Sequence, residues 1–196
     1  MTSPFQPEGK LTKGIYKAAD NPKLQYNKET AFPIIPVINA YSEKGDTIEV
    51  IVIINDYENA KYNLGLLEQE LQVLCAEIGV TYTVRNLETP YSSDLDTQLD
   101  LFGKLIDCTA DEDTLYACIT YGFKPTPIIL SMAMNYGHRI RQNTSIGCVV
   151  YGAKDFNTGE MKIYDITSLL YMDEIVRIMA EQKISDPTDK IKMLLK

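Results

Sequence analysis

The chain has 196 residues, 45% of them hydrophobic and 23% charged, with a net charge of −8. That length holds one domain with a full core rather than two large ones, and the composition excludes a disordered chain. The acidic balance argues against general affinity for duplex DNA or RNA, which depends on many Lys and Arg contacts, but leaves a small anionic ligand open.

No apolar run reaches the roughly 20 residues of a membrane span, and the start, MTSPFQPEGK, has no signal-peptide apolar region. A cytoplasmic protein without membrane association is therefore expected. Cys75, Cys108, Cys118 and Cys148 sit inside apolar patterns and lack the close pairing of a metal knuckle. They read as buried reduced thiols, and neither a metal nor a cofactor is expected. The charge is uneven: residues 1–30 carry +2 and the remainder −10.

In chain order, Pro4, Pro7, Gly9, Gly14 and Pro22 punctuate the N-terminal stretch, and no full strand is expected before Thr30. A central first strand would lie upstream of Met1 or be only a stub. Ala31 to Tyr41 reads as a helix feeding the β-branched run Ile48–Asn55, a strand buried on both faces. Leu64, Leu67, Leu71, Leu74 and Ile78 then share one helical face. Thr81–Arg85 is the next strand. Ser92 or Ser93 is expected to cap the helix after it, with Leu95, Leu99, Phe102 and Ile106 on its buried face.

Thr114–Ile119 reads as the third strand, followed by a helix that starts at Pro125 or Pro127 and runs through Ile128, Met132 and Tyr136. Ser145–Tyr151 and Met161–Ile166 form a hairpin through Asn157-Thr-Gly159. A helix capped by Thr167 or Ser168 runs to about Gln182, and Pro187 opens a short last one. This alternation predicts an α/β, Rossmann-like fold: a largely parallel open sheet, helices on both faces, and a C-terminal β-hairpin plus helix. Residues 1–182 read as one ligand-sensing domain and 183–196 as a short C-terminal helix, a possible linker to an effector.

Ligands of such sheets sit beyond the carboxyl ends of the strands. That edge is expected to hold Asn55 to Glu58 with Asp56, then Asn86 to Thr89 with Glu88, then Thr120-Tyr-Gly-Phe-Lys-Pro125. In the last loop Gly122 lets backbone approach a ligand, Thr120 offers a hydroxyl, and Lys124 offers charge. Tyr121 or Phe123 can stack on a base, and the N-terminus of the following helix, with Thr126 beside it, offers N–H groups to a phosphate. A tight turn with Phe123 in the core is the plain alternative, because the full glycine-rich triphosphate loop is absent.

Ile119-Thr-Tyr-Gly-Phe-Lys-Pro-Thr-Pro127 followed by Ala133-Met-Asn-Tyr136 resembles the strand-turn-helix signature of CARF domains, the CRISPR-associated Rossmann-fold sensors. The family form runs Asp-x-Thr-His-Gly-Phe-Arg-x-x-Pro and then Ala-Leu-Asn-Tyr. Val149-Val-Tyr-Gly152, Tyr164-Asp-Ile-Thr-Ser-Leu-Leu170 and Lys28-Glu-Thr-Ala-Phe32 are similar to three further blocks, in family order, across residues 3–182. Tyr121 stands where the family often has His, Lys124 where it has Arg, and the Asp two places before Thr120 is missing.

The resemblance implies a homodimer whose twofold cleft binds a cyclic tetra- or hexa-adenylate, the messenger of type III CRISPR systems, and relays binding to an effector. It also implies a Ser/Thr-Gly ligand loop, matched here by Ser3, Gly9 and Lys10. The runner-up is a metal-independent ring nuclease in which Thr120 and Lys124 position and stabilise the reacting phosphate. A flavodoxin-like mononucleotide domain and a purely structural module are further readings.

Effector signatures are missing from the sequence. No Arg precedes His138, the only histidine, at the four-to-six-residue spacing of a ribonuclease motif. His138 is expected to be solvated near a helix end, roughly 20 Å from the binding edge at ~1.5 Å rise per residue. Asp155 with Glu160-Met-Lys162 only faintly echoes a metal nuclease and falls in the hairpin.

Overall fold

The computed structural model describes residues 1–7 and 10–194. Its strands are β1 (Tyr16–Ala18), β2 (Thr47–Asn55), β3 (Thr81–Thr89), β4 (Thr114–Cys118), β5 (Ser145–Lys154) and β6 (Met161–Asp165). Its helices are α1 (Ile34–Tyr41), α2 (Ala60–Ile78), α3 (Leu95–Ile106), α4 (Thr126–Ile140), α5 (Thr167–Glu181) and α6 (Pro187–Leu194). The architecture is the expected α/β, Rossmann-like one. Among the described residues no helix is long and apolar enough to cross a membrane.

Two hydrogen-bonded sheets, β3-β2 and β4-β5-β6-β1, are joined by the first residues of the chain. Thr2 pairs in parallel with Val52, donating to Ile51 O at 3.0 Å and accepting from Ile53 N at 2.9 Å. On the other side Met1 O accepts from Cys118 N at 3.0 Å, and the Met1 nitrogen donates to Tyr116 O at 2.7 Å. Among the described residues the centre of the sheet is thus a stub of one or two rungs. β2, β3, β4 and β5 run parallel to their neighbours, while β6 returns antiparallel to β5 and carries β1 parallel to itself.

Before Thr30 the structure has only the three-residue Tyr16–Ala18, too short to give a readable alternation, which borrows its register from β6. β3 runs on to Thr89, so Asn86 and Glu88 belong to a strand rather than a loop. Their polarity reflects β3's place at the sheet edge, where one side meets solvent.

One apolar layer joins Phe32, Ile35, Val50, Val52, Leu67, Leu71 and Leu74 on the α1–α2 face. The other joins Ile51, Ile53, Leu101, Leu105, Leu130 and Met134 under α3 and α4. The expected α2 face is the buried one. In α3 the buried face is Gln98, Leu101 and Leu105, whereas Leu95 and Leu99 are exposed. The helix carries two overlapping apolar stripes, and only the one facing the sheet is covered. Its cap is Asp94, which accepts from Thr97 N at 2.9 Å; Ser92 instead bonds the Asp94 carboxylate. Of the cysteines, Cys75, Cys118 and Cys148 are buried thiols, but Cys108 is only half-buried, with its sulfur beside the Arg85 guanidinium at 3.6 Å.

β5 passes so close to α1 that a Cβ at Gly152 would lie 2.5 Å from Pro33 Cγ and 2.9 Å from Tyr16 Cε1, both in rigid rings. Gly152→Ala is expected to lower unfolding free energy by about 1–3 kcal/mol through overpacking. A urea midpoint equal to wild type would show that the α1–β1 wall yields.

Candidate functional site

Each loop leaving the carboxyl ends of the stub, β2, β3 and β4 delivers one aromatic ring to the same place. Phe5 lies 4.9 Å from Tyr57, 5.9 Å from Tyr91 and 5.0 Å from Phe123, centroid to centroid. Tyr91 closes the group at 4.5 Å from Phe123 and 5.8 Å from Tyr57. Ser3 starts this arrangement: it is buried, and its Oγ accepts from Phe5 N at 3.3 Å, bending the chain as it leaves the stub. Aromatic pairs at these separations are favourable, so the rings hold four otherwise independent loops together. Phe123 belongs to this cluster at the edge of the fold, which replaces the alternative of a ring lost in the core.

The loop after β4 splits its side chains between structure and surface. Thr120 Oγ accepts from Gly152 N at 2.8 Å and sits 3.2 Å from Cys118 Sγ, so it straps β4 to β5. Tyr121 turns inward: its hydroxyl donates to Ala31 O at 2.9 Å, lies 3.3 Å from the Tyr16 hydroxyl, and its ring meets Phe32 edge-on. Burial pushes the Tyr121 phenol up to about 12. Of the two aromatics in this loop, only Phe123 joins the ring cluster. Lys124 is exposed and enters no ion pair among the described residues.

Gly122 has φ +121°, a backbone that strains any other residue, and a Cβ there would also press on the buried Thr126, 3.2 Å from its Cβ. The expected donors at the α4 N-terminus are largely consumed. Thr126 N donates to Phe123 O, Ile128 N and Ile129 N donate to Pro125 O, and Pro125 and Pro127 have no N–H. Among the described residues, the backbone N–H groups of Gly122, Phe123 and Lys124 donate to nothing, so the donors available to an anion lie in the loop just before the helix.

At the neighbouring strand ends Asn55 is buried and Asp56 exposed, with Asp56 N donating to Thr89 O at 3.0 Å. Glu88 is exposed on the opposite face of β3 from Asn55, since its register partner is Ile54. It is not brought to the ring cluster. Lys10 is exposed and its N–H is used by Pro7 O; Gly9 lies outside the described residues. Phe5 and Tyr57 fall inside loops expected at this edge but were not singled out, and Tyr91 was not placed there. Their only signal was one aromatic in each loop at the same edge.

A cavity of about 870 Å³ lies elsewhere, between α2 and the segments around Leu11 and Tyr26. Its lysines are engaged, Lys13 with Glu70 at 3.4 Å and Lys28 with Glu77, so size alone does not make it the better anion site. His138 is not solvated but half-buried, its Nδ1 donating to Thr144 O at 3.0 Å. Glu160 is paired with Lys17 and Lys162, and no metal-holding cluster exists among the described residues. No family model matches the chain, and no curated protein matches it.

The inward role of Tyr121 has a direct check. Tyr121→Phe is expected to lose about 0.5–1.5 kcal/mol of stability with its hydrogen bond to Ala31. Denaturant melts read the loss, and a midpoint equal to wild type would show that the hydroxyl contributes nothing to the fold.

Proposed function

We propose that this chain is the sensor domain of a type III CRISPR ancillary effector, binding a cyclic oligoadenylate at the carboxyl edge of its sheet as a homodimer. The observation that carries the reading is the loop after β4. Three unbonded N–H groups, a glycine at φ +121° and the exposed Lys124 stand beside a cluster of four rings. Phosphates take N–H donors and a cation; bases take aromatic faces.

A twofold partner is supported by apolar surface next to the same edge. Leu95 and Leu99 on α3, and Ile128 and Met132 on α4, are 47–71% exposed on two helices that pack side by side. A ring of repeated nucleotides suits a symmetric pair of such loops. Binding across the pair would favour one dimer arrangement and so signal to an attached domain.

Sensing fits the residues better than cleavage. Thr120, the hydroxyl nearest the loop, is committed to Gly152 N and Cys118, which leaves it poorly placed to act on a ribose or a phosphate. Recovering the ring intact after binding is the expected result.

Calorimetric titration with cyclic tetra- and hexa-adenylate tests the reading. Wild type should bind one ring tightly, and Lys124→Ala should bind it about 1.5–3 kcal/mol more weakly, a loss of roughly 10- to 150-fold. Unchanged affinity would remove Lys124 from the site, and no binding of either ring by wild type would overturn the proposal.

A further inference from the structure

Three polar side chains at the carboxyl ends of β2 and β3 are buried without partners. Asn55, Thr89 and Gln98 are 4%, 3% and 7% exposed, yet Asn55 Oδ1, Thr89 Oγ1 and Gln98 Oε1 meet no donor or acceptor among the described residues. Leaving one such atom unpaired is costly, and three in one neighbourhood are unusual for a folded protein.

They share one face of the sheet. Ile51 and Ile53 of β2, with Leu87 of β3, point into the α3–α4 layer, and Asn55 and Thr89 continue that alternation as register partners. Gln98 lies in the first turns of α3, buried on the side that packs toward β3. Its amide cannot turn over: Nε2 donates to Ser92 O at 3.0 Å, a carbonyl that can only accept, so Oε1 is the open atom. Two residues beyond Asn55 and Thr89 stand Tyr57 and Tyr91, stacked at 21°, and Tyr91 is 56% exposed.

We infer that Asn55, Thr89 and Gln98 form a base-selecting pocket for a 6-aminopurine, which rests on the nucleotide-binding reading above. The amino group donates to Asn55 Oδ1 and Gln98 Oε1, the Thr89 hydroxyl donates to the adjacent ring nitrogen, and Tyr91 covers the base. A 6-oxo purine offers the opposite pattern, bringing a carbonyl oxygen against Gln98 Oε1, the acceptor that the Ser92 bond holds in place. The pocket thus reads adenine by its edge, while the loop after β4 holds phosphate.

The test titrates the full chain with the cyclic adenylate that binds best and with the same ring built from inosine, in which oxygen replaces the amino group. Wild type should prefer the adenylate ring by about ten- to a hundredfold, the range for a paired base contact. Thr89→Val and Gln98→Met, each first checked for a cooperative melt, should narrow that preference to within about threefold. If Gln98→Met fails to fold, the nearly isosteric Thr89→Val decides. Equal affinity of wild type for the two rings overturns the pocket and leaves the sensor reading standing. A preference that survives in the folded variants assigns discrimination to other residues and overturns the pocket. Failure of wild type to bind either ring overturns both.

Discussion

The backbone bonds that Met1 and Thr2 make to β2 on one side and β4 on the other are what the rest of the structure depends on. Among the described residues, the β3-β2 pair and the four strands β4-β5-β6-β1 are hydrogen-bonded to each other by no other rung. Buried backbone groups need partners, so the stub is held in one register, with Thr2 opposite Val52 and Met1 between Tyr116 and Cys118. That register decides where the chain leaves the sheet. Phe5, three residues on, lands among Tyr57, Tyr91 and Phe123, and touches all three rings.

The same edge shows a division of labour along a few residues. Thr120 and Tyr121 satisfy buried groups on β5 and before α1, fixing where the loop begins. Gly122 then turns at a φ that other residues rarely adopt, and Phe123, half-buried in the ring cluster, and the exposed Lys124 follow with unbonded backbone N–H groups. A loop anchored this firmly on one side loses little freedom when a ligand binds on the other. The open polar atoms of Asn55, Thr89 and Gln98 sit at the same end of the sheet, as expected where function rather than packing selects residues.

Much of this fold was legible in the sequence, for identifiable reasons. β2 is a β-branched run buried on both faces, and Leu67, Leu71 and Leu74 keep one unambiguous stripe, so both read correctly. α3 did not, because Leu95, Leu99, Leu101 and Leu105 make two stripes and only the tertiary neighbours choose between them. The glycine and lysine of the β4 loop stood out as local features. The ring cluster did not, since Phe5 and Phe123 are 118 positions apart and meet only because a stub of one or two rungs closes the sheet. Tyr121 was misread for a similar reason: its partner Ala31 lies 90 residues away.

The central claim is one of location: the ligand binds at the carboxyl edge around the β4 loop and not in the cavity beside α2. Amide hydrogen exchange with and without cyclic oligoadenylate measures this directly. The account predicts slowed exchange concentrated in residues 121–124, whose N–H groups are unbonded without ligand, with weaker protection at 56–58 and 91–93. Protection confined to the segments around Lys13, Lys28 and α2, with residues 121–124 unchanged, would contradict it.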